Sequence, residues 1–250
     1  MATSGRRTRS NVLTLIPAFN ETEGIERVIR DLRMYFPLAD FVVIDDGSTD
    51  DTGRKVLCSG VDLLRLPTNL GIGGALQTGL KYAEEMGYEY TLRLDADGQH
   101  DPEDAIRLLD AVMNGEADAA IGSRFLATDW LGRDRNYKTT FTRQLGIKTF
   151  AALTSFFTHQ KITDPTSGLR CYSRPVIHYL AKFHPQDYPE VESVVMLHRA
   201  GFRLLELPAT FYPRVAGKSS IDGWKSFYYA FRVLLAAVIA ELRAPVRVQD

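Results

Sequence analysis

The stretch Tyr90-Thr-Leu-Arg-Leu-Asp-Ala-Asp-Gly-Gln-His-Asp101 decides how this chain is read. It opens on an apolar run, Tyr90 to Leu94, with the length and composition of a buried strand. It closes on two carboxylates two residues apart, Asp95 and Asp97. At a strand tip both can face one pocket, and unneutralised carboxylates that close need a cation. Mg2+ or Mn2+ is the natural guest, being hard, oxygen-seeking and able to keep positions open for water and phosphates. The predicted ligand is a nucleotide diphosphate. An Asp-x-Asp alone is common among solvated loop acids, so the flanking sequence has to carry the reading.

Upstream, Asn11 to Pro17 and Phe41 to Ile44 read as buried strands, with a helical segment, Glu23 to Tyr35, between them. Strand, helix, strand predicts a parallel sheet. A second helix, Ile72 to Met86, leads into the strand that ends at Asp95, and Pro102 to Asn114 reads as a helix capped by Asp101. The alternation continues to Ala119-Ala-Ile121. Open parallel sheets bind ligands at the carboxyl ends of their strands, where Asp45, Asp46, Asp95 and Asp97 all fall. From Gly122 the pattern is less regular, with a basic and aromatic stretch, Arg133 to Phe157, that looks helical. The simplest partition is a disordered basic tail (1–10), one catalytic domain (11–221) and a C-terminal amphipathic helix and tail (222–250).

Composition sets the outer bounds. The chain has 250 residues, 45% hydrophobic and 24% charged, enough for a sizeable core. A formal net charge of -1 leaves no basic excess for general nucleic-acid binding. Cys58 and Cys171 stand far apart without zinc-ligand spacing, which fits a reducing, cytosolic setting. Arg6, Arg7 and Arg9 are followed by no apolar segment of a secretory signal. No apolar run approaches the ~20 residues that span a bilayer. From Trp224, however, Phe227, Tyr228, Phe231, Leu234, Leu235, Val238 and Leu242 share one helical face, with Lys225, Arg232 and Arg243 elsewhere. Such a helix docks on its own domain, on a partner subunit or on a membrane surface. Trp130 and Trp224 suit either core packing or a membrane interface.

Several blocks together resemble the family 2 glycosyltransferases. They are Ile16-Pro-Ala-Phe-Asn-Glu21, Asp45-Asp-Gly-Ser-Thr-Asp-Asp-Thr52, Asn69-Leu-Gly-Ile-Gly-Gly-Ala75 and Leu94-Asp-Ala-Asp-Gly-Gln-His-Asp-Pro102. Gly122-Ser-Arg-Phe125, Asp164-Pro-Thr-Ser-Gly-Leu-Arg170 and Arg214-Val-Ala-Gly-Lys-Ser-Ser220 are similar to the dolichol-phosphate mannosyltransferase and bacterial polyprenyl-phosphate glycosyltransferase branch. The likeness covers about Asn11 to Ile221. It implies the GT-A fold, a nucleotide-binding α/β/α sandwich with a mostly parallel central sheet, here followed by the C-terminal amphipathic helix. It also implies inverting transfer of a hexose from a nucleotide diphosphate sugar to a polyprenyl phosphate, peripherally at the cytoplasmic face of the membrane, with the C-terminal helix held on that surface or against a small membrane partner protein.

The resemblance distributes roles. Asp97 ligates the metal that bridges the donor phosphates, Gln99 adds an oxygen ligand, and Asp95 shares the site nearer the nucleoside. On the donor side, Pro17 and Ala18 form an apolar wall, Glu21 and Asp46 either accept hydrogen bonds from the ribose or base or serve turn chemistry, and Asn20 belongs to the same donor-nucleotide site. Gly71, Gly73 and Gly74 serve either close approach to a ligand or helix packing. Arg214 and Lys218 are cations able to close over the diphosphate. Gly217-Lys-Ser-Ser220 lacks the upstream glycine and strand of a phosphate-binding P-loop. Arg124, Arg143 and Arg170 are candidates for the acceptor phosphate, which is ionised at neutral pH and needs placing rather than deprotonating. Asp164 and Ser167 either shape the Thr166-Ser167-Gly168 turn or serve the acceptor. A saccharide hydroxyl as acceptor would instead need a base, Glu190 or Glu192, within Tyr188-Pro-Glu-Val-Glu192. His100 either touches the ion or braces its loop.

Overall fold

The computed structural model describes residues 10–37, 39–126, 141–186 and 189–212. The first strand, β1 (Val12–Ala18), is buried at every position, which is why it reads as a continuous apolar run rather than an alternation. Its even-numbered residues Val12, Ile16 and Ala18 join one core, and Leu13 and Leu15 join the other. Helix α1 (Ile25–Tyr35) returns the chain to β2 (Asp40–Asp45), and α2 (Thr52–Cys58) leads to β3 (Asp62–Arg65). Helix α3 (Gly71–Glu85) then feeds β4 (Tyr90–Arg93), α4 (Pro102–Met113) and β5 (Ala119–Ser123). Asp101 caps α4 as predicted, its side chain accepting from the Glu103 amide, with Pro102 at the first helical position.

The second half comprises α5 (Phe141–Thr158), β6 (Arg170–Ser173), α6 (Arg174–Phe183), α7 (Pro189–Arg199) and β7 (Leu204–Pro208). The strands form one seven-stranded sheet in the order β3-β2-β1-β4-β6-β5-β7. Only β6 runs against the others, pairing antiparallel with β4 and β5. Helices α1 and α4 cover one face through Ile25, Val28, Leu32, Leu108 and Val112. Helices α3, α6 and α7 cover the other through Ala75, Leu80, Ile177, Leu180 and Val194. The mostly parallel α/β/α sandwich is thus present, and strand order reverses between β1 and β4. The crevice beyond those two carboxyl ends is where an open α/β sheet binds its ligand.

The C-terminal amphipathic helix from Trp224, Trp130, and the basic tail all lie outside the described residues. Among the described residues, no helix is long and apolar enough to cross a membrane.

Candidate active site

Beyond β4 the chain turns sharply through Gly98, whose φ of 69° is a left-handed conformation that glycine adopts without strain. The turn leaves Asp95 with a side chain 34% exposed and Asp97 only 4% exposed. Asp97 Oδ1 accepts the Gln99 amide at 3.1 Å. His100 is buried behind the turn. Its Nδ1 accepts the Asp95 amide at 3.3 Å, its Nε2 lies 3.7 Å from Asp95 Oδ2, and its ring meets Phe211 edge-on at 4.9 Å. Burial pushes its pKa down; with Nδ1 on the Asp95 amide and the ring against Phe211, of its two readings the structure supports the brace.

A residue that sequence patterning does not single out completes this end of the site. Arg93, the last residue of β4, is buried, and its Nη2 lies 3.0 Å from Glu190 Oε1 and 3.4 Å from Asp95 Oδ1. Burial disfavours a charged guanidinium, but Asp95 and Glu190 more than reverse that, and Arg93 stays a fixed cation. A charge at a strand end reads as an outward-facing position; only the fold brings in Glu190 from the first turn of α7. Glu192, two residues on, is half-buried on that same turn.

Arg124 and Asp164 are brought together as expected of site neighbours, but each is committed to the other. Arg124 Nε and Nη2 reach Asp164 Oδ2 and Oδ1 at 2.6 and 2.7 Å, and Nη2 also donates to Thr166 Oγ1 at 2.7 Å. The Phe211 ring lies 5.1 Å from the guanidinium carbon. Glu206 supports the loop from below, accepting the amides of Thr163 and Asp164. Asp164 therefore both orients the turn and positions Arg124.

Two acceptor-side expectations are corrected. Arg170 is 1% exposed, and all five of its N–H donors go to protein: Ser167 O, Ser193 Oγ, Tyr172 Oη, Pro165 O and Glu190 O. It acts as a scaffold residue, with its donors engaged by protein. Ser167 is fully buried, with its Oγ accepting the Leu169 amide, and serves the turn alone. The next residue, Gly168, lies directly against the Asp95 carboxylate, and a Cβ there would fall 2.9 Å from Asp95 Cγ. The side chain of Arg143, in the first turn of α5, lies outside the described residues.

On the donor side, the loops after β1 and β2 are stitched together. Asn20, at φ 55°, accepts the Thr49 amide on Oδ1 and donates its own amide to Ser48 Oγ; the Glu21 amide donates to Thr52 Oγ1. Pro17 and Ala18 close β1 beside them, opposite Ile44 and Asp45 of β2. Asp46 is buried, and its Oδ1 accepts the Leu70 amide at 2.8 Å. Burial pushes its carboxyl upward, the Leu70 and Gly71 amides pull it down, and Asp45 adds to the rise. Its bond to the Leu70 amide holds the 69–71 turn. Of the two readings of Gly74, the structure supports packing, since a Cβ would meet Leu70 Cβ at 2.6 Å. At Gly73 the neighbour is Gln186 Cα, also at 2.6 Å. A shallow groove of about 460 Å3 opens at the ends of β2 and β3, lined by Gly47, Ser48, Thr49, Arg65, Leu66 and Pro67. Arg65 Nε lies 3.4 Å from Asp45 Oδ2 on its floor.

The segment after β7 closes the far side. Tyr212 donates its amide to Gln99 O at 2.7 Å, its carbonyl accepts Gln99 Nε2 at 3.1 Å, and its hydroxyl bonds Asp101 Oδ2 at 2.9 Å. Gln99 is thereby a clasp on the late segment, with its amide nitrogen turned to protein. Arg214 and Lys218 follow in sequence but lie outside the described residues.

As a cation site, the strand tip offers hard carboxylate oxygens from Asp95 and Asp97. Among the described residues, no cluster of three or more His, Cys, Asp or Glu side chains forms a complete metal cage. That donor set fits Mg2+ or Mn2+, which hold one or two carboxylates and take the rest of their sphere from phosphates and water.

Comparison with known proteins agrees with this geometry. The family profile described as "Glycosyl transferase family 2" matches residues 14–180. An undecaprenyl-phosphate mannosyltransferase of Micrococcus luteus is 33% identical over 220 residues, covering 85% of this chain and 88% of that protein. A polyprenol monophosphomannose synthase of Mycolicibacterium smegmatis is 31% identical over 226 residues, covering 87% and 83%. Among solved structures, glucosyl-3-phosphoglycerate synthase from Mycobacterium tuberculosis, in complex with Mn2+, UDP and glucosyl-3-phosphoglycerate, superposes with a TM-score of 0.67 at 18% identity, covering 93% of this chain and 80% of that one. That likeness establishes the GT-A fold. With the Asp95–Asp97 turn at the switch point of such a sheet and a family match over most of its length, the chain is a glycosyltransferase and belongs to glycosyl transferase family 2.

Proposed function

We propose that this enzyme transfers a hexose, with inversion, from a nucleoside diphosphate sugar to the phosphate of a polyprenyl phosphate, using Mg2+ or Mn2+. The observation that carries the reading is the Asp95–Asp97 turn at the β1/β4 switch point, on the same carboxyl edge of the sheet as the groove beyond β2 and β3. From β4 to β2 is two strand spacings, about 10 Å, the scale of a nucleoside diphosphate laid across the sheet. The base lies toward Ser48, Arg65 and Pro67, and the diphosphate toward Asp97.

A bound divalent ion, held by Asp97 with Asp95 beside it, supplies Lewis-acid stabilisation of the departing diphosphate. The chain's own residues fix the geometry. His100 and Gly168 hold Asp95, the Tyr212 clasp holds the Asp97–Gln99 turn, and Arg124, placed by Asp164, orients the acceptor. Arg143, Arg214 and Lys218 are assigned to the phosphates on the resemblance alone. An acceptor phosphate oxygen attacks the anomeric carbon as the bond to the donor phosphate breaks, and no proton has to move. Supporting a phosphate acceptor, Glu190 is occupied by Arg93, so a hydroxyl acceptor would leave base duty to Glu192. Of the two relatives above, one is by name an undecaprenyl-phosphate mannosyltransferase and the other a synthase of polyprenol monophosphomannose. Such an acceptor places the enzyme peripherally at the cytoplasmic membrane face, with the C-terminal amphipathic helix, or a small membrane partner, as the attachment.

The test is a donor and acceptor screen with Mn2+ or Mg2+, UDP-, GDP- and dTDP-sugars and a short polyprenyl phosphate. Joint appearance of nucleoside diphosphate and prenyl-phosphate sugar, lost in Asp97→Ala and retained in Glu192→Gln, is expected. Donor cleavage that proceeds only with a saccharide acceptor and collapses in Glu192→Gln would overturn the lipid-phosphate reading.

A further inference from the structure

Arg93 presents one nitrogen to two carboxylates on different elements. Nη2 is 3.0 Å from Glu190 Oε1 on α7 and 3.4 Å from Asp95 Oδ1 beyond β4, and the Arg93 side chain is 6% exposed. Asp95 Oδ2, in turn, faces His100 Nε2 at 3.7 Å, with the Gly168 backbone packed on the carboxylate. Asp95 is thus held beside a fixed positive charge, and the strength of that hold depends on how much of the guanidinium Glu190 retains.

We propose that Arg93 is a positioning residue that sets the division of labour between Asp95 and Asp97. By engaging Asp95 Oδ1, it keeps that carboxylate from becoming a full ligand of the divalent cation and leaves Asp97 as the principal anionic ligand. Glu190 is the counterweight, because its share of Arg93 limits the grip on Asp95. The consequence is an ion held loosely enough to leave with the nucleoside diphosphate. This rests on the donor and metal reading above. A fixed positive charge within several ångströms of a divalent ion, were one bound here, would weaken its binding on the order of tenfold even at the dielectric of water.

The test is Mn2+ binding to the full chain, followed by electron paramagnetic resonance of free Mn2+, alone and with UDP or GDP, beside steady-state transfer. Arg93→Met is expected to bind Mn2+ about 10-fold more tightly while kcat falls at least about 10-fold. Arg93→Lys, which keeps the charge, stays within about 3-fold of the wild type in Mn2+ affinity. Glu190→Gln releases Arg93 to Asp95 and weakens Mn2+ binding about 3-fold. An arginine whose charge does not bear on the cation site predicts no tightening. Unchanged or weaker Mn2+ binding in a folded Arg93→Met protein overturns the proposal. If that variant does not fold, Mn2+ binding in Glu190→Gln as tight as in the wild type does so. A wild type that binds no Mn2+ with either nucleotide overturns both this proposal and the metal reading. The Mn2+ shifts found as stated, with transfer only to another acceptor, would sink the lipid-phosphate reading alone.

Discussion

Arg124 and Asp164 meet fork to fork, Nε to Oδ2 at 2.6 Å and Nη2 to Oδ1 at 2.7 Å, with the Arg124 amide adding a third bond to Oδ2 at 3.1 Å. Arg124 follows β5 and Asp164 belongs to the loop before β6, so the pair ties together two segments that converge beside Asp95. Both side chains are nearly out of water. Removing one partner strands a charge, whereas removing both removes the need for pairing.

Asp164→Leu is therefore expected to cost about 3–5 kcal/mol of folding stability, and the double change Arg124→Met/Asp164→Leu to recover at least about half of that. Urea denaturation of the two single variants and the double variant checks this. A double variant as unstable as the sum of the singles would show that the pairing has no energetic weight.

Asp97→Asn keeps the shape of the turn while removing charge from the proposed principal ligand. Transfer should fall about 100-fold or more in kcat/KM, with the thermal midpoint close to that of the wild type. Full activity at saturating Mn2+ would remove Asp97 from the centre of the site.

Arg170→Lys separates scaffold from binding residue. Lysine offers three donors from one point and cannot replace five directed N–H bonds. A stability loss of about 2–4 kcal/mol is expected, with the acceptor KM of the folded fraction unchanged. A raised acceptor KM without loss of stability would restore the acceptor role that the sequence suggests for this arginine.

The first half of the fold was legible because its strands are apolar runs and its helices carry periodic apolar faces. The expected helix Ile72 to Met86 is α3, Gly71–Glu85, and the expected cap at Asp101 is in place. In the second half the helical reading of Arg133 to Phe157 meets α5, Phe141–Thr158, where it is described, but β6 was not legible for a physical reason. β6 reads Arg-Cys-Tyr-Ser and carries no strand pattern of its own; it is a strand because β4 and β5 supply hydrogen-bonding edges on both sides. The site divides the same way. Asp95 and Asp97 are visible as neighbours in sequence. The commitments of Arg170 to Glu190, of Arg93 to Glu190 and of Asp46 to the Leu70 amide depend on partners between 20 and 97 residues away.

His184 links stability to pH. It is buried, and burial first, then Arg93 and Arg170, depress its pKa to about 3. The folded protein keeps this ring neutral, while the unfolded chain protonates it below about pH 6.5. Between about pH 6.5 and 3 the unfolded state binds the extra proton, so this residue removes up to about 1.4 kcal/mol of stability per pH unit of acidification and contributes no pH dependence above that window. Denaturation midpoints compared at pH 7.5 and 5.5 should fall less in His184→Phe than in the wild type. Equal falls would place the ring's titration elsewhere.

Gly168→Ala tests whether the orientation of Asp95 matters separately from the fold. The new methyl falls on the Asp95 carboxylate, within 2.9 Å of its Cγ, and no backbone atom is among its three nearest neighbours. A carboxylate is the end of a short, rotatable side chain, so the overlap is relieved by turning Asp95, which pulls Oδ1 away from Arg93. Stability should therefore change by no more than about 1 kcal/mol, while transfer falls at least about 10-fold. Adding Asp95→Ala to Gly168→Ala removes the overlap but not the defect, so the double variant should be no more active than Asp95→Ala alone. Paired melting curves and initial rates on the three variants check this. A Gly168→Ala enzyme with wild-type rates would mean that the position of Asp95 is not under tight control by the loop that covers it.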